Sequence, residues 1–208
     1  MKLFKNITLG VAALTAVAFT ACADDFMDVA PTESVSDVTI QSSVNNIYLA
    51  VNGLHKEMVS QETGYQALGG LPGFMFSRDW QADDIVCHAG GNWWSRFATW
   101  QYVQSASSGY NYAYYRVYYQ WILNANKILE SLDAIDYNSL TASEQELYNQ
   151  CKGEALAFRA FAHYDLVQQY AKRYVPGQAN SQDGVIYRLS STIEELGRSS
   201  VEDTYKNI

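Results

Sequence analysis

Between Tyr110 and Leu132 the chain carries two adjacent stripes at helical spacing, Tyr112, Tyr115, Tyr119, Ile122, Asn126 and Leu129 on one and Tyr114, Tyr118, Trp121, Ala125, Ile128 and Leu132 on the other. Residues three and four apart share a side of an α-helix, so the two runs describe one helix that is apolar over much of its surface. Such a helix must be covered on two sides by other parts of the chain.

Neighbouring stretches can supply that cover. Val44, Ile47, Tyr48, Val51, Leu54 and Met58 repeat with the same period in a helix expected to begin at Ser36-Asp37. Thr141 and Glu144 have the spacing of a capping box, in which the threonine oxygen and the glutamate carboxylate satisfy amides that a helix start leaves without partners. The helix behind them is expected to reach about Tyr170, with Tyr148, Cys151, Ala155, Phe158, Ala162 and Leu166 towards the core. Ala157 and Phe161, four apart and followed by Pro176, fit the second-helix half of a tetratricopeptide-like unit. Gly64, Gly69, Gly70, Pro72, Gly73, Gly90 and Gly91 interrupt the period, so residues 61–109 read as a long, loop-rich stretch of the kind that carries function. Ser199 and Glu202 are expected to open one more helix, but only two turns remain before Ile208. An isolated helix needs about 12 to 15 residues even to be marginal, so the chain reads as a piece of a longer protein. The expected fold class is all-α, with helix pairs separated by irregular loops.

The N-terminus reads as an export signal. Lys2 and Lys5 form a basic start, Ile7 to Thr20 an uncharged and mostly apolar run, and Phe19-Thr20-Ala21 leads into Cys22. A bilayer span needs about 20 apolar residues, more than this run offers. The expectation is a lipoprotein signal peptide over residues 1–21 with lipidation at Cys22, although Phe19 stands where such signals usually carry Leu. The other readings are an ordinary secretory signal cut nearby and an uncleaved anchor. Residues 22–36, with Pro31 among small polar and acidic residues, read as an extended tether, and residues 37–208 as the helical domain.

Charge narrows the partners. The whole chain carries −8, with 14 Lys and Arg against 22 Asp and Glu; removing residues 1–21 takes away Lys2 and Lys5 and no acid, leaving −10. Such a chain gains nothing from counterion release, so nucleic acid is not an expected partner. Membrane attachment is expected from the acyl chains on Cys22 and not from attraction to anionic lipid. No cysteine and histidine cluster has metal spacing, and no cofactor is expected. Cys87 and Cys151 could pair in an oxidising envelope; alternatively Cys151, on an apolar helix face, is a buried free thiol.

Several stretches together resemble the RagB/SusD family of surface glycan-binding lipoproteins. They are the start Cys22-Ala-Asp-Asp-Phe-Met-Asp, the run Trp121-Ile-Leu-Asn-Ala-Asn126-Lys-Ile-Leu, the run from Glu154 through Arg159 and Tyr164 to Tyr170, Gly184-Val-Ile-Tyr-Arg188, and the stretch from Arg198 to Tyr205. The acidic pair after Cys22 resembles a signal for export to the cell surface. The chain departs from the family between Tyr170 and Pro176, where a Gly usually follows the Tyr directly and the path to the Pro is shorter. The resemblance implies tetratricopeptide-like helix pairs whose long loops form a glycan site. It also implies a role: capturing oligosaccharide at the outer surface and delivering it to a TonB-dependent outer-membrane transporter of the SusC-like kind, with the lipoprotein as its lid. Family members run to about twice this length or more.

All five Trp lie between residues 80 and 121, and aromatic faces that cover sugar C–H surfaces beside polar side chains are the usual chemistry of glycan recognition. Trp93 and Trp94, behind Gly90-Gly91-Asn92, are the candidate platform. By resemblance Arg78 is a hydrogen-bond donor to sugar hydroxyls, and Asp79, Asp83 and Asp84 are candidate acceptors. The alternative for the Trp pair is that it pins the loop to the helices, and the Tyr-rich run at 102–119 reads as packing. Asp83 and Asp84 adjoin each other, whereas a glycosidase holds its two carboxylates roughly 5 to 9 Å apart across a substrate. His55, His88 and His163 lie in separate segments without a nucleophile motif, and His163 reads as bonded within its helix. The expected function is therefore non-enzymatic. A helical-repeat scaffold that binds protein, and more distantly a surface glycosidase, are the competing readings.

Overall fold

A computed structural model describes residues 37–61, 69–83, 85–86, 100 and 105–208. Among them the helices are α1 (Asp37–Ile40), α2 (Val44–Val59), α3 (Gly70–Asp79), α4 (Gly109–Asp133), α5 (Ala142–Tyr170) and α6 (Val201–Asn207), with a single 3₁₀ turn at Tyr137–Ser139. The class is all-α, as the periodicity indicates.

The doubly striped segment is α4, and it is covered as its composition demands. Tyr114, Tyr118, Trp121, Ala125, Ile128 and Leu132 are all buried, as are Ile122, Asn126 and Leu129 of the other stripe; Tyr115 and Tyr119 are half-buried, and Tyr112 alone stands out in solvent. α5 runs back antiparallel along α4, and α2 lies against both. Trp121 has no exposed surface and sits where the elements meet, edge-on to Tyr118 at 5.1 Å and to Phe158 of α5 at 5.7 Å, and tilted against Phe74 of α3 at 5.8 Å. Aromatic pairs prefer these offset and edge geometries because the ring faces are negative and the edges positive. The capping box at Thr141 and Glu144 forms in full, and Tyr148, Cys151, Ala155, Phe158, Ala162 and Leu166 all face the core. Cys151 is a buried free thiol, and burial raises it to about 11, so it is inert as a nucleophile.

Three boundaries differ from the sequence-based expectation, each for a local reason. The first helix does not run unbroken from Asp37. Ser43 caps α2 by accepting from the Asn46 amide at 3.2 Å, and the Asn46 side chain turns back to the Thr39 carbonyl at 3.0 Å and to Ser42 at 2.8 Å. Short polar side chains here offer the backbone a turn in place of helical bonds. The second difference is α3, which forms inside the stretch read as loop. Gly70 and Pro72 fall in its first turn, where helix amides have no internal partner and a proline costs no hydrogen bond. Gly70 has φ +62°, and a Cβ there would stand 2.3 Å from the Met58 carbonyl oxygen, so the residue that looked like a breaker lets the start of α3 pack onto the end of α2. The third is the cap of α6, which is Ser200 accepting from the Asp203 amide at 3.0 Å, one residue later than the Ser199 and Glu202 spacing suggests. This short helix packs on α5, with Tyr205 edge-on to Tyr164 at 6.3 Å and to Tyr174 at 5.3 Å.

Candidate functional site

Arg78 lies in the last turn of α3, and its neighbours explain why that turn is held firmly. Phe74, one turn earlier, is 1% exposed and meets Tyr114 edge-on at 4.6 Å. Ser77 is buried, donating to the Phe74 carbonyl at 2.8 Å and accepting from the Tyr114 hydroxyl at 2.7 Å. The base of the Arg78 side chain is thus fixed to α4 by packing and by a hydrogen-bond relay.

The guanidinium then reaches α5. Its two terminal nitrogens donate to the two oxygens of Asp165, Nη1 to Oδ1 at 3.2 Å and Nη2 to Oδ2 at 3.4 Å. Asp165 is 2% exposed, and Oδ2 also accepts from the fully buried Tyr118 hydroxyl at 2.6 Å, with Gln169 donating to that hydroxyl at 3.3 Å. Burial and the adjacent Asp165 charge hold the Tyr118 phenol far above its ordinary range, so it remains a donor. A buried carboxylate is costly unless paired and hydrogen-bonded, and here it is both. The Arg78 side chain is 32% exposed against 3% for Asp165. Of its five N–H groups two go to Asp165; the rest have no partner among the described residues. Phe76 and the C-cap residue Trp80, each two residues from Arg78 and so on the other side of the helix end, meet edge-on at 5.7 Å.

The remaining sequence-predicted site residues divide simply. Asp83 is exposed four residues beyond α3. Trp93, Trp94 and Cys22 lie outside the described residues, so the platform and the lipidation site stand as expectations. Among the described residues no group of His, Cys, Asp and Glu could hold a metal, and no helix is long and apolar enough to cross a membrane. Sequence reasoning missed Asp165 and Tyr118 as partners of Arg78. The available signal was an acidic residue between Ala162 and Leu166 on a face that otherwise reads as core.

The motif residues further along do different work. Asn126 accepts from Arg159 at 2.8 Å and donates to the carbonyls of Arg188 at 3.4 Å and Ser190 at 3.2 Å. His163 pairs through Nδ1 with the Arg159 carbonyl at 2.9 Å, as its reading as a locally bonded residue holds, and through Nε2 accepts from the Arg188 amide at 3.1 Å. That pattern needs a neutral ring, and burial lowers its pKa to about 4. Tyr119 donates to the Ile186 carbonyl at 2.9 Å. Gly184 packs so closely on the start of α6 that a Cβ would meet the Ser200 carbonyl oxygen at 2.7 Å, and Arg198 donates from Nε to the Gly184 carbonyl at 2.7 Å. These residues clamp the irregular segment 184–191 onto α4 and α5.

The antiparallel pair α4 and α5, with α2 against both and the irregular segment 184–191 laid along it, defines an all-α fold. The same fold is found in the crystal structure of a SusD-like carbohydrate binding protein from Bacteroides vulgatus, with a TM-score of 0.63 at 20% identity over 79% of this chain and 33% of that one. The chain thus spans about a third of that protein. A SusD-like family model, described as starch-binding and associating with the outer membrane, matches residues 25–208, and the chain belongs to that family. No curated protein matches the chain significantly.

Proposed function

We propose that this protein is a non-enzymatic lipoprotein, anchored through Cys22, that binds oligosaccharide at the outer surface and passes it to a TonB-dependent transporter. The observation that carries the binding role is the Arg78 fork, two of whose donors engage a buried carboxylate while others stay free of described partners. Sugar hydroxyls are recognised by such multi-donor groups set beside aromatic surface. Trp93 and Trp94 are the proposed aromatic platform, with Asp83 as an acceptor. The family description supports both the ligand class and the outer-membrane setting.

The test is migration of the full-length protein through native gels cast with soluble starch, arabinoxylan, inulin or mucin glycans. Retardation by at least one polysaccharide is expected, and it should be lost when Trp93 and Trp94 are both changed to Ala. Arg78→Lys keeps a cation against Asp165 but removes the fork, and should weaken retardation with little change in melting temperature. A melting temperature that falls in the double Trp variant, with retardation intact in the folded fraction, would assign that pair to packing. For the anchor, Cys22→Ala should move the protein from membranes to the soluble fraction.

A further inference from the structure

Arg78 has an arrangement that its exposure alone does not require. A partly exposed arginine at a helix end can rotate through many conformers, and each interaction it makes must offset that lost freedom. Here Asp165 engages both terminal nitrogens from inside the helix pair, and Tyr118 holds the carboxylate in turn by donating to Oδ2 at 2.6 Å. Both anchoring side chains are buried and come from different helices, α5 and α4. A two-point contact on a planar fork fixes its plane as well as its position. The outward N–H groups therefore point in one direction set by the core.

We infer that Asp165, oriented by Tyr118, is a positioning residue for ligand recognition, presetting the Arg78 guanidinium so that its outward donors meet a pair of sugar hydroxyls. This rests on the reading of Arg78 as a glycan donor. Preorganisation raises affinity by removing ordering that binding would otherwise require. Asp165 does so without touching the ligand, and Tyr118 acts one step further back.

The experiment is a double-mutant cycle on the full-length protein, with whichever of the four polysaccharides retards the wild type as the probe. Asp165→Asn is nearly isosteric and should weaken binding about tenfold. Tyr118→Phe, which leaves the ion pair in place, should weaken it about threefold. Asp165→Glu, which restores the charge, should recover part of the loss. The deciding measurement is Asp165→Asn in an Arg78→Ala background, because residues that act as a unit are not additive. There it should change affinity by less than a factor of two while raising the melting temperature, since it removes a buried carboxylate left without its cation. A full tenfold further loss in that background would show a general structural defect and overturn the inference. Unchanged affinity in Asp165→Asn, with Arg78→Lys impaired, would overturn it while leaving the Arg78 reading in place. Absence of retardation of the wild type by all four polysaccharides would overturn that reading, and this inference with it.

Discussion

At the end of α3 and along the 184–191 segment the same two helices, α4 and α5, present buried polar side chains, yet the two regions use them differently. Along 184–191 the donors and acceptors of Asn126, His163 and Tyr119 close on the protein itself, on backbone groups of the segment and of α5 and on the Arg159 side chain. At α3 the buried groups Asp165 and Tyr118 also find partners, but the chain of contacts ends on a partly exposed arginine whose other donors have no partner among the described residues. Spare hydrogen-bond capacity at the surface end of a buried network separates a group suited to binding from one that holds the fold. The two regions should consequently fail differently: clamp variants in stability, α3 variants in affinity.

The largest effect is expected from Asn126→Leu. It removes three hydrogen bonds at once and leaves the Arg159 head and two carbonyls without that partner, for a loss of about 3 to 4 kcal/mol. Urea denaturation should show it, and glycan retardation of the folded fraction should match wild type. A parallel loss of retardation would mean that the two regions are one unit.

Acid should strike the clamp next. The ordinary histidine pKa of 6.5 is lowered to about 4 at His163, so the unfolded chain takes up a proton as pH falls below about 6.5 while the folded chain resists until about pH 4. Stability from this group is complete above about pH 6.5 and is lost as pH falls towards 4, by about 3 kcal/mol. Denaturation curves at pH 7, 5.5 and 4 for wild type and His163→Gln should converge with falling pH. A constant gap between them would show that the ring is not buried as a neutral acceptor.

Gly184→Ala should cost about 2 kcal/mol, because its methyl group would press on the Ser199 and Ser200 carbonyls, which cannot withdraw without breaking the pairing of Gly184 with Ser199. Thermal melts measure it directly. The smallest effect is Tyr119→Phe, about 1 kcal/mol for one lost bond to the Ile186 carbonyl. If Tyr119→Phe instead impaired retardation at unchanged stability, the 184–191 face would join the binding surface.

The outcome of the sequence reading follows from the range of each interaction. The stripes of α4, the capping box at Thr141 and the core face of α5 were legible because helix formation and capping involve residues one to four positions apart. α3 was not, because its first turn carries the residues that break helices elsewhere. What permits it is the contact between Gly70 and Met58, twelve residues back, and the cage around Phe74 provided by α4. Similarly, Arg78 could be singled out by resemblance and Asp83 by position. Their circumstances could not: Arg78 depends on Asp165, 87 residues away, while Asp83 is exposed.

By itself the sequence determined that the chain is helical, which faces are apolar, where α5 begins, and, through the motifs around Asn126, Arg159 and Arg198, its family. Only the tertiary structure decided what those motif residues do. Asn126, Arg159 and His163 look in sequence like any polar positions on amphipathic helices, and the bond between Asn126 and Arg159, like those of Asn126 and His163 to a segment 25 to 64 residues further on, exists only once the helices and that segment are packed together. The same holds for Asp165. Whether a carboxylate on a helix is solvated or buried against an arginine depends on what another helix brings to it, and local periodicity carries no record of that partner.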